Sequence, residues 1–101
     1  MIISTWNIRG LNRSNKQKEV CKLVSNNRID IIGILETKIK IGKENFIQNC
    51  MLPLWNYTTN SKSGGFNMIW VSWNPNKVKV KVIKETSQLI HIHILEDRKS
   101  T

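Results

Sequence analysis

Alanine does not occur in this chain, aspartate occurs only as Asp30 and Asp97, and cysteine, histidine and proline occur twice each. The missing alanine ties to no activity, but the other scarcities exclude function classes. Cys21 and Cys50 lie far apart and outside any CxxC or Cys/His ligand spacing. That excludes a zinc site or a disulfide framework, and both are expected to be buried free thiols. No apolar run approaches the roughly 20 residues that span a bilayer as a helix, the longest being Ile31 to Leu35. The amino terminus has no basic segment followed by an apolar one. A soluble, intracellular protein without a membrane partner is expected, with nucleus or cytoplasm undecided. Repeats, linkers and low-complexity tracts are also missing, and 101 residues at 40% hydrophobic content suffice for one small domain with one modest core.

What is abundant is positive charge, since 16 Lys and Arg against 7 Asp and Glu leave a formal +9. Such an excess favours a polyanionic partner, although charge alone does not separate nucleic acid from an anionic membrane surface.

The hydrophobic pattern changes period along the chain. Residues 2 to 8, IISTWNI, are β-branched and aromatic and end near Gly10, which predicts a strand stopping at a turn. Ser14 and Gln17 have capping-box spacing, and Gln17, Val20, Cys21 and Val24 fall three and four apart, predicting an amphipathic helix to about Asn27. Residues 29 to 35, IDIIGIL, are nearly continuous in apolar side chains, as in a strand covered on both faces. A second helix is predicted with Phe46, Ile47, Cys50 and Met51 on one face and Pro53 stopping it. From Trp55 the period is two. Trp55 and Tyr57, a turn from Ser61 to Gly65, Phe66 to Trp73, a turn at Asn74 to Asn76, Lys77 to Ile83, and Leu89 to Leu95 predict an antiparallel meander. The fold class is α/β, a βαβ unit followed by antiparallel strands.

A crossover helix returns the chain parallel to its first strand, so the carboxyl ends of both strands lie at one sheet edge, about 4.8 Å apart if they are neighbours. Asn7, in TWNIRGL, and Glu36, in ILETK, sit at those ends, where open α/β sheets commonly bind ligands. Read from the residues alone, Glu36 is either half of such a site or a carboxylate leaving the core for water.

TWNIRGL, ILETK, their separation and the later GGFNMIWVSWNP and QLIHIHI stretches resemble the amino-terminal part of the endonuclease/exonuclease/phosphatase superfamily. The resemblance is closest to the endonuclease domain of plant LINE-type retrotransposon polyproteins, related to apurinic endonucleases and deoxyribonuclease I. It covers essentially all 101 residues. It implies the amino-terminal part of a four-layered α/β sandwich that hydrolyses phosphodiester bonds in DNA with a divalent metal, usually Mg2+, with Mn2+ as the alternative. By resemblance, Glu36 is a catalytic residue that binds metal, and Asn7 is a catalytic residue hydrogen-bonding within the catalytic network. A hard cation that takes carboxylate oxygens and keeps several waters suits that chemistry.

Arg9 occupies the place where some relatives carry an aspartate that helps hold metal. Arg9 and Lys38 are candidate nucleic-acid contacts, each with a plain surface position as the alternative. The family's water-activating aspartate and asparagine, in a GDFN-like stretch, and its later Asp-His pair have no counterpart here. Residues 1–101 are therefore expected to be a partial domain without its carboxyl-terminal half. Missing a positioned base forfeits about 10²- to 10⁴-fold, so inactivity of the chain alone is expected. The alternative is a non-catalytic basic remnant that binds nucleic acid by charge. Half a sandwich would also expose an apolar sheet face and an open edge, inviting self-association.

The remaining candidates have structural readings. His91 and His93 share a strand face without a carboxylate or cysteine at ligand spacing, and are expected on the wetter face. Lys77, Lys79, Lys81 and Lys84 either track phosphates or protect an edge strand from pairing, the latter being favoured. Trp6, Trp70 and Trp73 are expected in or near the core, and Trp55 is the candidate for exposure.

Overall fold

The structure, a computed structural model, describes residues 1–35, 37–61 and 68–97. The elements run β1 (Ile3–Asn7), α1 (Ser14–Asn27), β2 (Ile31–Leu35), α2 (Glu44–Met51), β3 (Asn56–Thr59), β4 (Trp70–Trp73), β5 (Val78–Glu85) and β6 (Ile90–Asp97). The expected Ser61–Gly65 turn and the start of the Phe66–Trp73 strand fall largely in 62–67, outside the described residues.

The βαβ unit forms as expected. β1 and β2 are parallel neighbours, with Ile3 opposite Ile31 and Asn7 opposite Leu35. The later strands are not one meander. β4 pairs antiparallel with both β2 and β3, giving the order β1-β2-β4-β3, while β5 and β6 form a separate two-stranded sheet. Alternation divides the larger sheet into two faces. Trp6, Ile32, Ile34, Trp70 and Tyr57 meet Val20, Val24, Ile47 and Met51 of the two helices in one core. On the other face, Ile31 and Trp73 pack with Val78, and the inward Val80, Val82, Ile92 and Ile94 of the hairpin close over them. β2 is thus covered on both sides near its amino end, which is why its sequence is almost uninterruptedly apolar.

Several local expectations are corrected. Ser14 is the first helical residue, and Arg13 is the cap without a side-chain bond. Gln17 is buried and donates from Nε2 to the Leu11 carbonyl at 3.0 Å, so it ties the β1–α1 loop to the helix and forms no capping box. In α2 the inward residues are Ile47, Gln48 and Met51, whereas Phe46 and Cys50 point outward. Both cysteines are exposed, because the sheet-facing stripes of α1 and α2 pass one residue to the side of them. Trp55 is half-buried against the main core.

Gln48 turns inward because β4 brings polar groups beneath α2. Its Oε1 accepts from the Trp70 indole N–H at 3.0 Å and from the Ser72 hydroxyl at 2.8 Å, while its Nε2 donates to the Leu52 carbonyl at 3.0 Å. Each buried polar group therefore has a partner, as burial away from water requires. Asn60, fully buried, stitches three segments together: its Oδ1 accepts from Ile69 N–H at 2.7 Å and its Nδ2 donates to the Thr86 carbonyl at 2.9 Å. In β5 the strict Lys/Val alternation breaks at Lys84 because the pairing passes from Val82–Ile92 to Lys84–His91, leaving Ile83 as an extra, exposed residue. That is a bulge, which bends the hairpin as it crosses the sheet.

Candidate active site

The site begins where β1 stops. Asn7 ends the strand, and Ile8 still donates to the Leu35 carbonyl at 3.2 Å before its side chain enters the core. Gly10 then adopts φ 78° and its carbonyl accepts from Arg13 N–H at 2.9 Å, closing the turn into α1. A Cβ at Gly10 would meet only ordinary contacts with the Arg13 side chain, so the left-handed backbone, not lack of space, is what calls for glycine. Leu11 is fully buried behind the turn, which anchors the loop carrying Arg9.

The second strand is anchored past its end as well. Thr37 is fully buried, and both its N–H, at 3.4 Å, and its hydroxyl, at 3.2 Å, donate to the Met68 carbonyl. Lys38 follows in a left-handed conformation, φ 50°, and the chain turns away with Ile39 buried and Lys40 exposed.

Asn7 is exposed and, by alternation, shares its face with Thr5 and Leu35, the face opposite the helices. Leu35, its register partner, is half open at 39%. Glu36 lies outside the described residues; its covalent neighbour Leu35 is the residue in register with Asn7. Arg9 and Lys38 are both exposed at this end of the sheet.

Four other acids are engaged elsewhere. Asp30, at the opposite end of β2, accepts the Ile2 N–H at 2.9 Å on Oδ2. Glu44 accepts the Gly42 N–H at 2.6 Å, Glu85 accepts from the Thr58 hydroxyl, and Glu19 pairs with Lys16 at 3.5 Å. Among the described residues no three His, Cys, Asp or Glu side chains converge. What they offer at this end of the sheet is the neutral amide of Asn7, a poor donor for a hard divalent cation, so they do not form a cation site by themselves. His91 and His93 stand exposed on the outer face of the hairpin, with His93 in register with Lys81, as expected for the wetter face.

Residues beyond the motifs also gather here. Lys38 lines a groove of about 410 Å³ with Asn12, Ile39, Lys40, Lys43 and Phe46, between the start of α1 and the start of α2. The signal for it was the alternation of buried Thr37 and Ile39 with exposed Lys38 and Lys40, followed by Gly42. A second hollow of about 630 Å³, beside Asp30, Trp55 and Lys77, lies at the amino end of β2 and takes no part in the site.

A sequence model of the endonuclease/exonuclease/phosphatase family matches residues 4–101. No curated protein matches the chain. Enzymes of the matching family generally use divalent metals and act on nucleic-acid substrates. The mixed α/β architecture is consistent with the amino-terminal part of that family's α/β sandwich.

Proposed function

Because the chain belongs to the endonuclease/exonuclease/phosphatase family, we propose that it is the amino-terminal part of a magnesium-dependent phosphodiesterase domain of LINE-type retroelement origin that cleaves DNA. Glu36 is the metal-binding carboxylate and Asn7 the hydrogen-bonding partner beside it. The observation that carries this reading is the parallel register that sets Asn7 opposite Leu35, the covalent neighbour of Glu36 in the chain. A bound Mg2+, or Mn2+ in its place, would neutralise charge building on the phosphate. Asn7, a neutral amide on a strand end, can donate and accept at once without adding charge to the site. Arg9 and Lys38 supply fixed positive charge near the same end for the phosphates on either side of the scissile one.

Half a site does not turn over. The chain carries no counterpart of the GDFN-like stretch or of the Asp-His pair, and loss of a positioned base alone costs about 10²- to 10⁴-fold. Purified protein with supercoiled plasmid and Mg2+ is expected to give no nicked circle above background. In a domain completed with the missing strands, nicking should appear and Glu36→Gln should abolish it. Full nicking by that variant would remove Glu36 from the mechanism. Direct titration of Mn2+, followed by its electron paramagnetic signal, should show weaker binding in the Glu36→Gln protein and so tests the metal role apart from turnover.

A second reading, a basic remnant that binds nucleic acid without cutting it, draws on the net charge of +9 and on the lysines around Lys38. DNA binding that is sequence-independent and falls steeply with salt, with no nicking from the completed domain, would favour it.

A further inference from the structure

The groove beside Lys38 has a composition the family motif does not account for. Lys38, Lys40 and Lys43 line it, and among the described residues no acidic side chain does. Glu44, next to Lys43 in the chain, is turned back onto the Gly42 N–H at 2.6 Å. The lysines are set by built backbone and not by a floppy loop. Thr37 and Ile39 are buried on either side of Lys38, and the turn that follows is closed by Lys43 N–H donating to the Lys40 carbonyl at 3.1 Å, with Gly42 at φ 98°. Phe46, one helical turn past Lys43, is 67% exposed at the groove's rim although it belongs to a helix whose neighbouring Ile47 is buried. An exposed aromatic side chain in a groove lined by three lysines matches a phosphodiester strand with a base to stack.

We propose that this groove is a binding track for unpaired nucleic acid, in which Lys38, Lys40 and Lys43 follow consecutive phosphates and Phe46 stacks a base. It deepens the nucleic-acid reading given above but does not rest on hydrolysis. The occupant is a single strand and not a duplex, because a base free of its partner can stack on Phe46 without the cost of unstacking a duplex. Charge favours a polyanion, and a concave site of about 410 Å³ suits a flexible backbone better than a planar bilayer.

The test is fluorescence anisotropy of the full chain with a labelled oligo-dT strand and with a duplex of equal length, in EDTA so that cleavage plays no part. Lys40→Gln with Lys43→Gln should weaken single-strand binding about tenfold and lower the slope of log K against log salt by about 1.4, two phosphate contacts at roughly 0.7 each. The same charge change on the hairpin, Lys79→Gln with Lys81→Gln, should alter neither by more than about twofold. Phe46→Ala should weaken single-strand binding about tenfold and duplex binding little, and Phe46→Tyr should restore it. Circular dichroism of each variant confirms that these exposed substitutions leave the fold intact.

Equal losses from the hairpin pair and the groove pair would overturn the track while leaving general nucleic-acid binding standing. Indifference to Phe46→Ala, or parallel loss of binding to phosphatidylserine vesicles and to DNA, would overturn it too. If the parent chain binds neither strand nor duplex, both the track and the nucleic-acid reading fall.

Discussion

The two faces of the four-stranded sheet are finished to different degrees. Beneath the helices, Ile32, Ile34 and Trp70 are fully buried and the polar atoms of Gln48, Ser72 and the Trp70 indole satisfy one another. On the opposite face, coverage is good only where the hairpin reaches, over Ile31 and Trp73. Beyond it, Ile3 is 53% exposed and Leu35 39%, along with Asn7. The sheet therefore carries its stability on one side and its candidate chemistry on the other, at the uncovered end. An active site has to be open to a substrate, and the face that holds the fold together does not.

The largest expected effect comes from breaking the finished face. Trp70→Ala removes a fully buried indole that stacks on Tyr57 at 5.3 Å and donates to two acceptors. Truncations of this kind cost about 3–5 kcal/mol, against a total of about 5–15 kcal/mol for a small domain. Urea unfolding followed by circular dichroism should show a variant largely unfolded or with its midpoint sharply lowered. Gln48→Ala should follow at about 1–3 kcal/mol, since the Ser72 hydroxyl loses its acceptor and the indole keeps only Ser72. Ser72→Ala, which leaves the Trp70–Gln48 bond in place, should cost less than Gln48→Ala.

The open face should respond differently. Ile3 is on the edge strand β1 and is exposed, with no layer above it among the described residues. Ile3→Lys should change the urea midpoint little, within about 0.5 kcal/mol, as exposed substitutions do. Its expected effect is on association: an uncovered apolar strip on an edge strand pairs with another copy, and a charge there opposes that pairing. Sedimentation velocity should show concentration-dependent oligomers of the parent chain that the variant shifts toward monomer. A parent chain that stays monomeric at all accessible concentrations would show that the open face does not associate.

How much was legible in the sequence differs along the chain for physical reasons. The β1–α1–β2 unit was legible because parallel pairing and burial on both faces of β2 demand an apolar run that little else produces. Its consequence, Asn7 beside the end of β2, followed from topology and is what the register shows. The order β1-β2-β4-β3 was not legible, because antiparallel strands with one wet face look alike whichever neighbour they choose, and the meander was wrong for that reason. The inward face of α2 was misplaced by one position. Phe46 and Cys50 look more apolar than Gln48, but the glutamine answers two polar groups on a strand over twenty residues away. Polar satisfaction across such a separation leaves no periodic trace. The groove of Lys38, Lys40 and Lys43 escaped for a related reason, since the alternation that exposes Lys38 and Lys40 does not say that a turn at Gly42 brings Lys43 alongside them. Glu36 itself lies outside the described residues, so its pairing with Asn7 is a proposal drawn from the sequence and from the Asn7–Leu35 register.

The smallest expected effect sharpens the comparison from within the finished face. Burial first, and the Glu44 carboxylate second, hold the Tyr57 hydroxyl above its ordinary value of 10.0. In the unfolded chain that phenol ionises near 10.0, while in the folded protein it stays neutral to higher pH. Its contribution is therefore full below 10.0 and is lost as pH rises through the raised folded value, because the unfolded state sheds its proton first. Urea midpoints should fall as pH rises above 10.0 in the parent protein. Tyr57→Phe keeps the stack on Trp70, leaves the midpoint at pH 7 within about 0.5 kcal/mol, and should flatten part of that alkaline decline. Glu44→Gln should flatten it less, since the carboxylate is the lesser cause. A Tyr57→Phe profile parallel to the parent's above pH 10 would mean that the ring ionises no more readily unfolded than folded, and that the helix-covered face is wetter at β3 than its packing against Trp70 implies.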